Sequence, residues 1–182
     1  PSLQMLFPLV LLFSFISLSF AGTECKAGTK SVLYYFDESR MECFPRLAES
    51  CSAEAKDMYP GLRECQRRLP MDFNMCAANS PPVKRASGES HCFPQGDPEH
   101  SKAVCSPGSV CRIGFRVGIC CDQKIEDAYD ADQKAVCPAG KYAVKIANDE
   151  FNRTFFGKTC SDNFCPSGSS CVQGKYLAHC CK

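Results

Sequence analysis

The chain has 182 residues, 16 of them Cys and none Trp, and its 21 Lys and Arg stand against 20 Asp and Glu for a net charge of +1. Residues 1 to 22 carry no charged side chain, and in the 160 that follow Leu, Ile, Val and Phe number only 26, about 16%. So little large apolar surface excludes an ordinary single core and a large α/β enzyme, and the abundant Cys points to covalent staples instead. The near-neutral balance leaves no electrostatic footprint for nucleic acid or an anionic membrane.

Met5 to Phe20 read MLFPLVLLFSFISLSF, an apolar run of 16 residues. That is shorter than the roughly 20 a helix needs to span a bilayer. Ser19 and Ala21 occupy the −3 and −1 positions of a signal-peptidase site, which predicts a signal peptide over 1–21. The chain is then expected to be secreted and extracellular, without a membrane segment once the signal is removed. Its Cys are expected to pair as disulfides. His91, His100 and His179 stand near no second ligand at a recognised metal spacing, so neither metal nor other cofactor is expected.

Next comes a four-Cys block over 25–75, with Cys25, Cys43, Cys51 and Cys65. Val32 to Phe36 is a β-branched and aromatic run, Asp37-Glu38-Ser39 a turn, and a return strand leads to Cys43, which together predict a hairpin. Pro60 opens a short helix that places Leu62, Cys65 and Leu69 on one side. Residues Ala77 to Ser90 read as a loop, in which Lys84-Arg85 is a plain basic pair.

Two further blocks repeat each other. Cys105-Ser-Pro-Gly-Ser-Val-Cys111, eight residues, then Cys120-Cys121 matches Cys165-Pro-Ser-Gly-Ser-Ser-Cys171, eight residues, then Cys180-Cys181. Cys76 and Cys92 complete a six-Cys unit over 76–121, and Cys137 and Cys160 complete another over 137–182. The Cys thus divide four, six and six, so each block can close on itself, with the pairing inside the six-Cys units left open. Adjacent Cys bond each other only through a strained ring, so each is expected to bridge elsewhere. Arg116 to Cys120 and Lys175 to Cys180 are predicted strands, and the Ser-Pro-Gly and Pro-Ser-Gly tripeptides are predicted tight turns.

Between the units, 122–136 is an acidic linker with one short helix over Ile125 to Gln133, expected to be a solvated spacer. Its Glu126, Asp127, Asp130 and Asp132 lack the central Gly and closing Glu of an EF-hand loop. Asn152-Arg153-Thr154 is an N-glycosylation sequon, expected to carry glycan at Asn152 in a secreted chain. No Ser-His-Asp, Cys-His or carboxylate pair stands at a motif spacing, and paired Cys leave no nucleophilic thiol, so no enzyme is expected.

Two resemblances sharpen this reading. Cys137-Pro-Ala-Gly through Cys160, Cys165-Pro-Ser-Gly-Ser-Ser-Cys171 and Cys180-Cys181 resembles a lustrin-type cysteine-rich repeat, which implies an extracellular or matrix module. The unit over 76–121 matches from Cys105 onward. The first block, with Tyr34-Tyr35-Phe36-Asp37, Cys43, Cys51, Tyr59 and Glu64-Cys65, resembles a Kunitz-type serine protease inhibitor domain. The fold implied is small disulfide-rich modules: an α+β Kunitz-like hairpin plus C-terminal helix, then two short-stranded, loop-rich six-Cys repeats. The resemblance also implies bridges Cys25–Cys51 and Cys43–Cys65, and makes Lys26, followed by Ala27, the inhibitory loop that enters a trypsin-like pocket.

The block departs from that family in lacking its first and sixth Cys, Leu69 standing where the sixth would fall. Glu49-Ser50 replaces a Gly pair, and Arg46 and Ala48 replace aromatic supports, changes expected to loosen the loop. The leading function is a secreted Kunitz-family inhibitor whose partner is a trypsin-like serine protease. Its rival is a non-inhibitory matrix or adhesive protein whose partners are extracellular matrix proteins. A toxin-like or receptor-ligand role forms a third class.

Overall fold

The apolar and aromatic run Val32 to Phe36 draws the first hairpin, and an Asp-led turn closes it. In the computed structural model, which describes residues 28–69, 76–93, 104–114, 118–146 and 151–182, β1 (Lys30–Asp37) pairs antiparallel with β2 (Glu42–Glu49). The Asp37 carboxylate accepts the Ser39 hydroxyl at 2.5 Å and the Arg40 N–H at 3.0 Å, the local bonding that makes Asp a turn starter. Residues 1–21, where a signal peptide is expected, and Cys25, Lys26 and Ala27 lie outside the described residues.

After β2, Ser52 caps a 3-10 turn over Ala53–Asp57 by accepting the Ala55 N–H. Tyr59 then returns to β1, exchanging backbone bonds of 2.8 and 2.7 Å with Tyr34. Helix α1 (Leu62–Gln66) follows, with Gly61 rather than Pro60 as its N-cap and Cys65 fully buried. A disulfide joins Cys43 to Cys65 and holds the helix against β2.

The two six-Cys units have one design. The first has strands β3 (His91–Cys92), β4 (Ser109–Ile113) and β5 (Gly118–Asp122) in the order β3-β5-β4. The second has β6 (Phe156–Gly157), β7 (Ser170–Gln173) and β8 (Ala178–Cys181) in the order β6-β8-β7. Bridges Cys76–Cys121, Cys92–Cys111 and Cys105–Cys120 have their counterparts in Cys137–Cys181, Cys160–Cys171 and Cys165–Cys180. First joins sixth, second fourth, and third fifth in both. Successive side chains in a strand face opposite ways, so the adjacent Cys of β5 and of β8 bridge to opposite sides of the sheet.

The turns follow from their glycines. Ser109 N–H donates to the Ser106 carbonyl and Ser169 N–H to the Pro166 carbonyl, with Gly108 at φ +82° and Gly168 at φ +79° between them. That positive φ at the third turn position is the type II signature. At Gly118 the demand is different. A Cβ there would stand 2.5 Å from Cys111 Sγ and 2.8 Å from Cys92 Sγ, so only Gly passes the bridge. In the second unit the matched position pairs with Gly157 rather than with a Cys, and Ala178 is accommodated.

The acidic linker is not a solvated spacer. It forms α2 (Gln123–Gln133), capped by Asp122, whose carboxylate accepts the Lys124 and Ile125 N–H groups. Glu126 is 2% exposed and accepts Arg112 Nε at 2.5 Å and Ala77 N–H at 2.7 Å, tying α2 to the first unit. Asp132 accepts the N–H groups of Lys175, Tyr176 and Leu177, tying α2 to the second. Those three amides, spent on a carboxylate, cannot join a ladder. β8 accordingly begins at Ala178 instead of Lys175.

The main core lies across blocks. Tyr34 and Cys65 of the hairpin block share one buried cluster with Phe155, Phe164, Ala178 and Cys180 of the second six-Cys unit. Phe164 is fully buried, and the Phe155 ring meets it edge-on at 5.3 Å. The bridges between described residues close within each unit, whereas apolar burial does not.

Candidate functional site

The hairpin has two ends with different surroundings. Seven steps of about 3.3 Å along the eight-residue strands set them roughly 23 Å apart. The end formed by Lys30 and Glu49 leads to Gly28 and Cys51, the stretch next to Lys26 and Ala27 in the chain. There the Glu49 Oε1 accepts the Gly28 N–H at 2.6 Å, and Gly28 takes φ +83°, a value at which a side chain would be strained. The Ser50 N–H donates to the Thr29 carbonyl at 3.1 Å, and the Ser50 and Ser31 hydroxyls bond each other at 2.8 Å.

Glu49 and Ser50, which stand where the family has a Gly pair, thus bond to Gly28, Thr29 and Ser31. Cys51 is disulfide-bonded and exposed. The expected bridge Cys25–Cys51 and the inhibitory residues Lys26 and Ala27 fall on positions outside the described residues.

Arg46 and Ala48 take new roles as well. Ala48 is buried at 5% exposure, and Arg46 turns to the second six-Cys unit. Its Nε donates to Asp162 Oδ1 at 2.6 Å while its guanidinium lies 4.5 Å from the Tyr35 ring centroid. Tyr35 donates its hydroxyl to the other Asp162 oxygen at 3.2 Å. Burial first, then the Asp162 charge, pushes the Tyr35 phenol up to about 12. Burial opposes the charge on Arg46, but Asp162 outweighs it and holds the guanidinium above its ordinary value.

The turn end of the hairpin is gripped by the rest of the chain. Lys158 donates to Asp37. Burial works against the Asp37 carboxylate, yet Lys158, the Ser39 hydroxyl and the Arg40 N–H together keep it below the usual carboxylate range. Tyr129 of α2 donates its hydroxyl to Glu42 Oε1 at 2.7 Å. Burial pushes Glu42 up despite that bond, and burial together with the Glu42 charge pushes the Tyr129 phenol up too. Arg40 lies 5.1 Å from the Tyr176 ring centroid, and Asn79 of the first unit donates to the Ser39 carbonyl at 3.2 Å.

Among the described residues, then, every six-Cys and α2 side chain with a hydrogen bond to the hairpin meets it between Tyr35 and Arg46, and none meets the Lys30–Glu49 end. Spacing rules did not single out Lys158, Asp162 or Tyr129. Their partners lie 87 to 127 residues away, where no local pattern reaches.

The remaining predicted positions are placed as follows. Asn152 is exposed at φ 50°, in the left-handed region Asn tolerates, and the sequon Thr154 accepts Lys145 Nζ at 3.0 Å. His179 is buried against the Val136 carbonyl at 3.1 Å, beside the Cys137–Cys181 bridge. Two other groups of close ligand-type side chains, at Cys92 with Cys105 and Cys111, and at Cys76 with Cys121 and Glu126, also contain disulfide sulfurs. A disulfide sulfur offers no thiolate to a metal. Among the described residues no Cys is free.

Comparison with known proteins adds the following. The chain is 33% identical over 163 residues to a BPTI/Kunitz inhibitor domain-containing protein of Caenorhabditis elegans, covering 88% of this chain and 85% of that protein. It is 28% identical over 166 residues to the major allergen Ani s 1 of Anisakis simplex, covering 88% and 82%. No family model and no solved structure matches.

Proposed function

The chain belongs to the BPTI/Kunitz inhibitor-domain family, and on that premise we propose that it is a secreted protein that binds a trypsin-like serine protease through Lys26, with Ala27 next in the bound loop. The observation that carries this reading is the division of the hairpin. Its turn end bonds to the other blocks, while among the described residues no six-Cys or α2 side chain bonds to its loop end, which the Gly28–Glu49 and Thr29–Ser50 bonds brace. A loop braced before docking loses little conformational freedom on binding, and a Lys there pairs with the Asp at the base of a trypsin-like pocket.

The modules in this reading are a signal peptide over 1–21, the Kunitz domain over 25–75, and lustrin-like repeats over 76–121 and 137–182, with glycan at Asn152. The two missing family Cys are compensated by docking on the second repeat. Packing of Tyr34 and Cys65 into a shared core supports that role, as does the pairing of Arg46 with the buried Asp162.

Titration of the oxidised, secreted protein against trypsin tests the reading. Inhibition at or below micromolar concentration is expected. Lys26→Ala should weaken it roughly a hundredfold, as loss of a central charged anchor does. No inhibition by the wild type, or equal inhibition by the variant, refutes the loop and leaves a matrix-binding role for the three modules.

A further inference from the structure

A second feature has the makings of a ligand site. Between β2, α1, α2 and the second six-Cys unit lies a half-enclosed cleft of about 490 Å³. Phe44, Leu62, Ile146, Phe155 and Leu177 supply an apolar lining, and its volume falls in the range of small-molecule pockets. Glu42 stands in this apolar wall with Tyr129, also a lining residue, on one of its oxygens. Apolar walls and one carboxylate together specify a ligand with a hydrocarbon body and a cationic, hydrogen-donating head.

We propose that this cleft binds a small apolar molecule bearing a protonated amine, its body against the rings and its ammonium on the Glu42 carboxylate. A carboxylate has lone pairs for several donors, and the Tyr129 hydroxyl uses one of them. No Lys or Arg among the described residues forms an ion pair with Glu42. Arg40, whose guanidinium sits over Tyr176, acts on it only through space. Arg153, also at the cleft, lies 5.9 Å from the Phe151 ring centroid, and it is the group a fatty acid would choose instead. The cleft lies at the turn end of the hairpin, so this site stands or falls independently of Lys26.

The test uses the oxidised full chain and the fluorescent arylamine N-phenyl-1-naphthylamine, displaced in turn by dodecylamine and dodecanoic acid. Saturable fluorescence enhancement is expected. Dodecylamine should compete roughly tenfold or more better than dodecanoic acid, the advantage of a charge-assisted over a repelled head. Glu42→Gln should keep probe binding and reduce that preference to about threefold or less, since the ion pair is lost but an acceptor remains. Leu62→Trp, which fills the cleft, should abolish binding with the disulfide map unchanged. Absence of probe binding by the wild type overturns the site, and equal or better competition by dodecanoic acid overturns the amine. An unaltered preference in Glu42→Gln removes Glu42 from it.

Discussion

The two six-Cys units share disulfide connectivity, strand order and even the register that sets Cys111 opposite Cys120 and Cys171 opposite Cys180. Their interiors differ. Among the described residues the first buries little besides sulfur, chiefly Cys76, Cys92, Cys120 and Cys121, and meets α2 through the Arg112 ion pairs. The second adds Phe155, Phe164 and Leu177 to its cysteines and carries the Kunitz hairpin on that surface. Identical wiring therefore does not produce identical modules. The bridges define where the chain goes, and the side chains between them decide which module has apolar area left to share.

The largest expected effect comes from the ring core. Phe164→Ala should destabilise the protein by roughly 3–5 kcal/mol, the cost of emptying a buried aromatic site. Because that core is shared, hydrogen exchange should show the β1 and β2 amides losing protection along with those of β8. Protection lost from β8 alone would mean the hairpin stands by itself. Next come the third-to-fifth bridges, Cys105–Cys120 and Cys165–Cys180, which both span 15 residues. Chain entropy assigns each about 3 kcal/mol, so replacing each pair by Ala isolates the packing difference. The second unit should lose more stability in thermal unfolding, and equal losses would break the contrast drawn above.

Asp162→Asn is expected to cost about 1–3 kcal/mol, because the Asp162 side chain is only 3% exposed while Arg46, at 42%, is partly screened by water. Arg112→Gln in the first unit gives the matching measurement on Glu126. The smallest effects are those of pH. The folded Asp37 pKa is depressed, so its stabilisation is present above the unfolded value of about 3.9 and is lost as pH falls through the folded one. The folded Glu42 pKa is raised, so Glu42 destabilises the fold at neutral pH and that penalty is relieved as pH falls toward its unfolded value of about 4.3. Denaturation curves should show Asp37→Asn flattening the acid limb and Glu42→Gln flattening the slope above it. Identical profiles in the wild type and either variant would contradict the assignment.

Much was legible along the chain. The aromatic run announced β1, the Asp-led turn its end, and the spacing around the two vicinal pairs announced a repeat whose turns require Gly108 and Gly168. These signals are local, carried by backbone preferences and by distances of a few residues. The acidic linker shows where local reading stops. Its charges suggested solvent, yet Glu126 and Asp132 are the struts of α2, because Arg112 and the Lys175–Leu177 amides fold back onto them.

Composition alone pointed to a chain that relies on staples more than on a large core, and the Cys count divided it into blocks that can each close on themselves. Which Cys meets which, and that the hairpin lacking a family bridge rests on the second repeat, were decided by the tertiary structure. A bridge or a buried pair is a relation between residues that strand pleat and packing bring together, such as Tyr35 and Asp162 across 127 positions. Residue types state what each partner can do, and only the fold chooses the partner.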